Sequence, residues 1–315
     1  MRRDGYPVGR AVSRAGEGLT AHARRGVRGF RPDRKAVDMC RWLAYSGTPI
    51  LLENLLYRPV HSLIDQSLHA RMGVETTNGD GFGVGWYAWH LRTPAVIRDT
   101  GPAWSNRNLR EIADHVRSPL FFAHVRASTG SAVQQTNCHP FRHGRWMWMH
   151  NGAIDGFREL RRDLMLTVDP GLFPSMEGTT DSEVMFHVAL TFGLDGDPPG
   201  AVARMTGLIE RLGREHGVPQ PLQMTVAVTD GERVWFFRYS SAGKSRSLYY
   251  SSRVEDVRAL HPDLGFLNHV SDETRLVVSE PLGDLPGVWN AVPESTFGVV
   301  QPGRDLLQHF EPEPV

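Results

Sequence analysis

Apolar and polar positions along this chain change period several times, and each change marks an element. Residues 180–192 place Val184, Met185, Val188 and Leu190 on one helical stripe, behind a threonine (179 or 180) suited to capping the first turn. Residues 201–214 read as a second helix. Shorter helical spacing covers 60–71, where Leu63, Ile64 and Leu68 are apolar, and 109–116. Strand-length runs rich in aromatic, β-branched or methionine side chains lie at 40–45, 83–89, 120–125 and 146–150. After residue 222 the pattern becomes strand-rich, with runs at 224–229, 233–239, 248–251 and 274–279. Thr229-Asp230-Gly231-Glu232 supplies a hairpin turn between the first two of these. Residues 196–200 and 261–272 read as surface loops, and no internal repeat is evident. Strands, then helices, then strands again predict an α+β domain of layered, largely antiparallel sheets.

Composition narrows the picture. The 315 residues are 40% hydrophobic, enough for a sizeable core in one large domain or two small ones. No apolar run approaches the ~20 residues of a membrane helix. Net charge is zero, which argues against nucleic acid or an anionic membrane as the main partner. The charge is uneven, however: residues 1–39 hold ten Lys/Arg against four acidic residues. With little apolar periodicity, that stretch reads as a disordered basic leader, either an overcalled start or a removed propeptide, with the working domain at 40–315. Two cysteines make no disulfide framework, so a reducing, cytoplasmic setting is expected. Fourteen histidines show no metal-ligand spacing, and neither a metal nor another cofactor is expected.

Candidate chemistry centres on Met39-Cys40. Translation starting at Met39, or cleavage before Cys40, leaves one residue carrying a thiol (pKa ~8.5) and an α-amine (~7.7–8.0), a nucleophile with a built-in weak base. Three further segments complement it. His124-Val125-Arg126-Ala127-Ser128-Thr129 ends a strand and offers a planar guanidinium for a carboxylate. His150-Asn151-Gly152 offers an amide and a backbone N–H for a developing oxyanion. Asp181 in Thr180-Asp181-Ser182-Glu183 offers a carboxylate for an ammonium. Together they form a set able to hold and attack a zwitterionic amide. Each also has a plain structural reading: a small buried cysteine, a surface ion pair, an Asn-Gly turn and a helix-cap acid. His139-Pro140 serves either a substrate contact or a turn, and Cys138 reads as packing. The glycines of Gly79-Asp80-Gly81-Phe82-Gly83-Val84-Gly85-Trp86 lack dinucleotide-binding spacing and read as close backbone packing near Cys40.

Taken in order, these segments, with Asn137-Cys138-His139-Pro140-Phe141, resemble the class II glutamine amidotransferases of the N-terminal-nucleophile family, stand-alone type. The match spans nearly all of 39–300. The resemblance implies a four-layer αββα sandwich, with Cys40 as nucleophile and its α-amine as base. It implies Arg126 on the substrate α-carboxylate, Asp181 on the α-ammonium, and Asn151 and Gly152 as the oxyanion hole. Thr129 and His139 fall where the family places supporting substrate contacts. The expected activity is hydrolysis of the glutamine side-chain amide through a γ-glutamyl thioester, the ammonia passing to a partner subunit. A γ-glutamyl conjugate is the alternative substrate, because the related ergothioneine-pathway γ-glutamyl hydrolases share the Met-Cys-Arg start and the Asp-Gly-Phe-Gly-Val-Gly-Trp run. A non-catalytic γ-glutamyl-binding subunit that retains its leader is the alternative of a different class.

Overall fold

The structure, a computed structural model, describes residues 40–72, 77–128, 131–263, 265–303 and 305–315. The basic leader and Thr129 lie outside the described residues. In chain order the strands are β1 (Arg41–Leu51), β2 (Phe82–Trp86), β3 (Ala95–Asp99), β4 (Arg117–Val125), β5 (Phe141–His143), β6 (Trp146–Ile154) and β7 (Leu222–Thr229). They continue with β8 (Val234–Ser240), β9 (Tyr249–Ser251), β10 (Arg275–Val278), β11 (Trp289–Ala291), β12 (Thr296–Val300) and β13 (Leu306–His309). One sheet runs β11-β9-β10-β1-β4-β2-β3 and the other β13-β12-β8-β7-β6-β5, with every pairing antiparallel.

Strand alternation builds the layers, because successive side chains point to opposite faces. Leu43 and Tyr45 of β1 and Phe121, Ala123 and Val125 of β4 pack outward against α1 (Glu53–Leu56), α2 (Leu63–His69) and α3 (Arg107–His115). Their neighbours Trp42, Ala44, Leu120 and Phe122 point inward and meet Met147, Met149, Ala227 and Phe236 of the second sheet. The far face of that sheet, with Trp148, Met224, Val226 and Phe237, is covered by α4 (Phe157–Thr167), α5 (Asp181–Thr191) and α6 (Pro198–Glu215). A last short helix, α7 (Val254–Leu260), packs on its own small cluster with Leu267. Helices, sheet, sheet, helices: this is the expected αββα sandwich.

The expected elements recur with adjusted ends. Helix α5 starts where Thr180 caps it, its Oγ1 accepting from Glu183 N at 3.2 Å. The stripe reading understates its burial, since every residue from Ser182 to Ala189 is buried among α4, α6 and β6. Ser62 caps α2, so that helix begins inside the expected 60–71. Residues 196–200 are partly helical and not wholly loop: Asp197 caps α6 through Gly200 N (3.1 Å), with Pro198 at the first helical position. The 261–272 loop contains a 3₁₀ turn over Gly265–His269. Helices α1, α4 and α7 and strands β3, β5 and β11–β13 were not among the expected elements.

The glycine run does bring backbones together. A Cβ on Gly83 would sit 2.2 Å from the His139 carbonyl oxygen, and one on Gly85 2.4 Å from Met147 Sδ. Both glycines face the second sheet, and their missing side chains let β2 approach it closely.

Candidate active site

The same alternation that makes the inter-sheet core collects the candidate residues. Trp42 and Ala44 point inward from β1, so Cys40, one step beyond the strand, lies on that face. Leu120 and Phe122 point inward from β4, as do His124 and then Arg126 just past its end. Met147 and Met149 point inward from β6, and so does Asn151. Because Arg41 pairs with Val125, Cys40 and Arg126 emerge at the same end of the sheet. His150 points the other way, toward α5.

Hydrogen bonds tie these ends together. Asn151 Nδ2 donates to the Cys40 carbonyl oxygen at 2.7 Å, and Arg41 Nη1 donates to the same oxygen at 3.1 Å. The Cys40 thiol donates to the Ala127 carbonyl at 3.4 Å, next to Arg126. Arg126 is buried, yet every acceptor it meets among the described residues is neutral. Its Nη2 reaches Ser128 Oγ (3.0 Å), Ser131 Oγ (2.7 Å) and the Ala132 carbonyl (3.3 Å), and Nη1 reaches the Asp80 carbonyl at 3.4 Å. A desolvated guanidinium among neutral acceptors keeps its full attraction for an incoming carboxylate. Asp80 supports the turn by accepting from Ser128 N at 2.8 Å.

Gly152 is required sterically. Its φ is +154° and a Cβ would lie 1.9 Å from the Gln223 carbonyl oxygen on β7. Asp181 has work within the fold: Oδ2 accepts from Ile154 N (2.9 Å) and Oδ1 from Ser182 N (2.7 Å), lashing the first turn of α5 to the end of β6. His150 Nδ1 lies 2.8 Å from Ser182 Oγ, so the helix start and the Asn151 strand are linked twice. His139 is buried and stacked on His124 with ring centroids 4.3 Å apart, and none of their four ring nitrogens makes a hydrogen bond of good geometry. It thus lies in the layer between the sheets, without a hydrogen bond to the other candidate residues. Cys138, fully buried, packs with its Sγ 3.4 Å from the Asp99 carbonyl.

Electrostatic influences oppose each other at Cys40. Burial pushes the Cys40 thiol up, while the guanidiniums of Arg126, Arg41 and Arg246 pull it back. Burial also lowers His150, with the Asp181 carboxylate acting the other way.

Sequence reasoning missed the support behind Cys40. Arg41 Nε donates to Glu280 Oε2 at 2.7 Å, and both side chains are buried. Glu280 also accepts from His61 Nε2 (2.5 Å), Arg71 N (2.8 Å) and Met72 N (3.2 Å), and His61 Nδ1 meets Asp65 Oδ2 at 2.8 Å. Adjacency to Cys40 could have drawn attention to Arg41; no local signal marks Glu280, 239 residues away. Among the described residues no group of three or more His, Cys, Asp or Glu is arranged to hold a metal, and no helix is long and apolar enough to cross a membrane.

Two antiparallel sheets packed face to face and sheathed in helices make the fold of the N-terminal-nucleophile type of amidotransferase. The chain belongs to the class-II glutamine amidotransferases, an enzyme family that it matches over residues 54–314. It is 32% identical over 312 residues to the probable glutamine amidotransferase DUG3 of Saccharomyces cerevisiae, covering 88% of this chain and 87% of that protein. It is 28% identical over 159 residues to a γ-glutamyl-hercynylcysteine sulfoxide hydrolase of Mycobacterium tuberculosis, covering 50% of this chain and 63% of that one. Among solved structures it is similar to a glutamine aminotransferase class-II domain protein from Silicibacter pomeroyi, with a TM-score of 0.66 and 33% identity, covering 87% of this chain and 100% of the other. The relatives' names divide between glutamine and γ-glutamyl conjugates as substrate.

Proposed function

We propose that this enzyme hydrolyses a γ-glutamyl side-chain amide through Cys40. The reading rests on one juxtaposition: the Cys40 thiol beside a buried Arg126 with neutral acceptors, with the Asn151 amide on the nucleophile's own carbonyl. The working chain begins at Cys40, residues 1–39 being removed or never made. Its α-amine takes the thiol proton, directly or through a water, as sulfur attacks the γ-carbonyl carbon. The tetrahedral oxyanion is met by the second N–H of Asn151 and the N–H of Gly152. Collapse breaks the C–N bond, the α-ammonium returns its proton to the departing nitrogen, and a γ-glutamyl thioester remains. Water adds to the thioester and releases glutamate and the thiol. Arg126 binds the α-carboxylate and Asp181 the α-ammonium, with Thr129 and His139 as supporting contacts.

Glutamine is the simplest substrate, its ammonia passing to a partner subunit. A γ-glutamyl conjugate proceeds through the same thioester with a larger leaving amine, and the similarity to γ-glutamyl-hercynylcysteine sulfoxide hydrolases favours it as a second reading.

N-terminal sequencing of active protein together with a glutamate-release assay tests the proposal. Cys40 at the terminus and no turnover in Cys40→Ala are expected. Asn151→Ala should lose about 10²–10³-fold in kcat, the ~2.7–4 kcal/mol of one oxyanion donor. Full activity in Cys40→Ala, or an active chain that begins well upstream, would overturn it.

A further inference from the structure

Away from Cys40, a cavity of about 320 Å³ opens between β3 and β5, each the last strand of its sheet. The first turns of α5 and the 3₁₀ turns at Gln135–Asn137 and Phe173–Ser175 complete its wall. Arg98 is anchored there: its Nε and Nη2 donate to the Pro140 carbonyl at 3.1 and 2.8 Å. Its Nη1 lies 3.6 Å from Glu177 Oε2, beyond hydrogen-bond length. Arg142 is exposed, and the acceptor its guanidinium meets among the described residues is the Pro94 carbonyl, at 3.0 Å. Glu183 is buried at the floor with both oxygens engaged, accepting from Glu177 N (2.8 Å) and Gly178 N (2.7 Å). His187 Nδ1 donates to the Glu183 carbonyl at 2.9 Å, and its Nε2 lies 3.0 Å from Ser175 Oγ. Burial lowers His187, so the floor adds no third positive charge. Two charges at this cavity keep capacity to spare: the Arg142 guanidinium and the exposed Glu177 carboxylate.

We propose that this cavity is a second ligand site, for a small zwitterion the size of a free amino acid, and that its occupancy steadies the loop holding Arg126. The ligand's carboxylate meets Arg142 and its ammonium meets Glu177. A guanidinium offers a carboxylate a charge-assisted, bidentate partner, and Glu177 answers the opposite charge. Arg98 and Arg142 against Glu177 and Glu183 leave the lining without net charge, which favours a neutral pair of charges over a simple anion. The volume lies at the lower end of small-molecule sites, roughly 300–1,000 Å³, and so suits a compact ligand. Hydrogen bonds carry the effect inward. Gln135 and Thr136 line the cavity, and Asn137 beside them accepts from Thr179 N at 2.8 Å and donates to the Ala132 carbonyl at 2.9 Å. Arg126 Nη2 reaches that same carbonyl oxygen at 3.3 Å. Gly178 is wedged between the two segments, since a Cβ there would lie 2.6 Å from both Asn137 Oδ1 and the Thr136 carbonyl. A ligand that fixes Glu177 therefore fixes residues 177–179 against Asn137, and through Ala132 an acceptor of Arg126. The site stands whatever reaction Cys40 performs.

Isothermal titration of the full-length protein with L-alanine, a zwitterion with no side-chain amide, tests the assignment. Arg142→Gln and Glu177→Gln should each bind it about tenfold more weakly, and Arg142→Lys should recover part of the loss. Both residues are exposed, and unchanged thermal unfolding without ligand verifies that the variants fold. Acetate and methylamine, each carrying half of the charge pair, should bind wild type about tenfold more weakly than L-alanine. Hydrogen exchange over residues 131–137 should slow when L-alanine is added to wild type and stay unchanged in Glu177→Gln. Absence of L-alanine binding in wild type overturns the site. So does equal binding by wild type and both variants, the result for a zwitterion held only by Arg126 and Asp181. Acetate binding as tightly as L-alanine overturns the ligand class, and binding without slowed exchange overturns the link to Arg126.

Discussion

The two histidines stacked between the sheets should make this protein sensitive to mild acid. His124 and His139 are 1% and 5% exposed. Burial lowers His124 from 6.5 to about 3, aided by the Arg126 guanidinium and by His150. Burial, with His124, His150 and Arg126 nearby, lowers His139 in the same direction. In the unfolded chain each ring takes up a proton near pH 6.5, whereas the folded core refuses it. Between pH 6.5 and 3 the unfolded state binds more protons, so stability falls as pH falls through that window. At ~1.4 kcal/mol per pH unit, His124 alone should cost about 2 kcal/mol between pH 6.5 and 5, and His139 acts with the same sign. That is a sizeable part of the 5–15 kcal/mol typical of a folded protein. His124→Phe keeps a ring in the stack and removes one titrating group. In urea unfolding followed at pH 7, 6 and 5, wild type should lose about 2 kcal/mol more than His124→Phe over the range. Parallel pH dependence in the two proteins would refute the reasoning.

Three further outcomes follow from the geometry. Gly152→Ala places a Cβ 1.9 Å from the Gln223 carbonyl; turnover should fall at least 100-fold, with ~1–3 kcal/mol lost in thermal unfolding, and near-normal kcat would contradict the site. Glu280→Gln leaves Arg41 and His61 without their shared buried carboxylate; a loss of ~3–5 kcal/mol in denaturant unfolding is expected, along with a lower kcat because Arg41 steadies the Cys40 carbonyl. Burial alone would raise the Glu280 carboxyl, but His61, Arg71 N and Arg41 outweigh it and lower it, so this stabilisation is present above the usual carboxylate range and is lost as pH falls through the lowered value. Cys138→Ala should keep turnover within about threefold and cost roughly 1–2 kcal/mol, since that thiol only fills space beside Asp99; mass spectrometry after thiol labelling should find Cys40 as the modified site.

Much of this molecule was legible in one dimension because the governing interactions are local. Helix α5 announced itself through apolar spacing and a threonine cap, and the β7–β8 hairpin through Asp230-Gly231, where Asp230 Oδ1 accepts from Glu232 N and Arg233 N. Alternation in β1, β4 and β6 implied which residues share a face, and short motifs marked Cys40, Arg126 and Asn151. Helix α4 buries Leu160 and Leu164, one turn apart, but Gly156 starts it with no capping side chain, so its beginning had no signal. Strands β5 and β11 are three residues long, shorter than a period can be read from.

What the chain order could not tell is which ends meet. The Asn151–Cys40 contact spans 111 residues, and Arg41–Glu280 spans 239. Nor could it show that the 244–247 loop is tied both to Gln223 of β7 and to Ser279 just past β10, or that His139 turns into the core against His124. Residue types and their periodicity set which side chains are available on each face. Packing of one sheet on the other, a long-range and cooperative outcome of burying Trp42, Phe122, Met147 and Met149 together, decided which of them share a site.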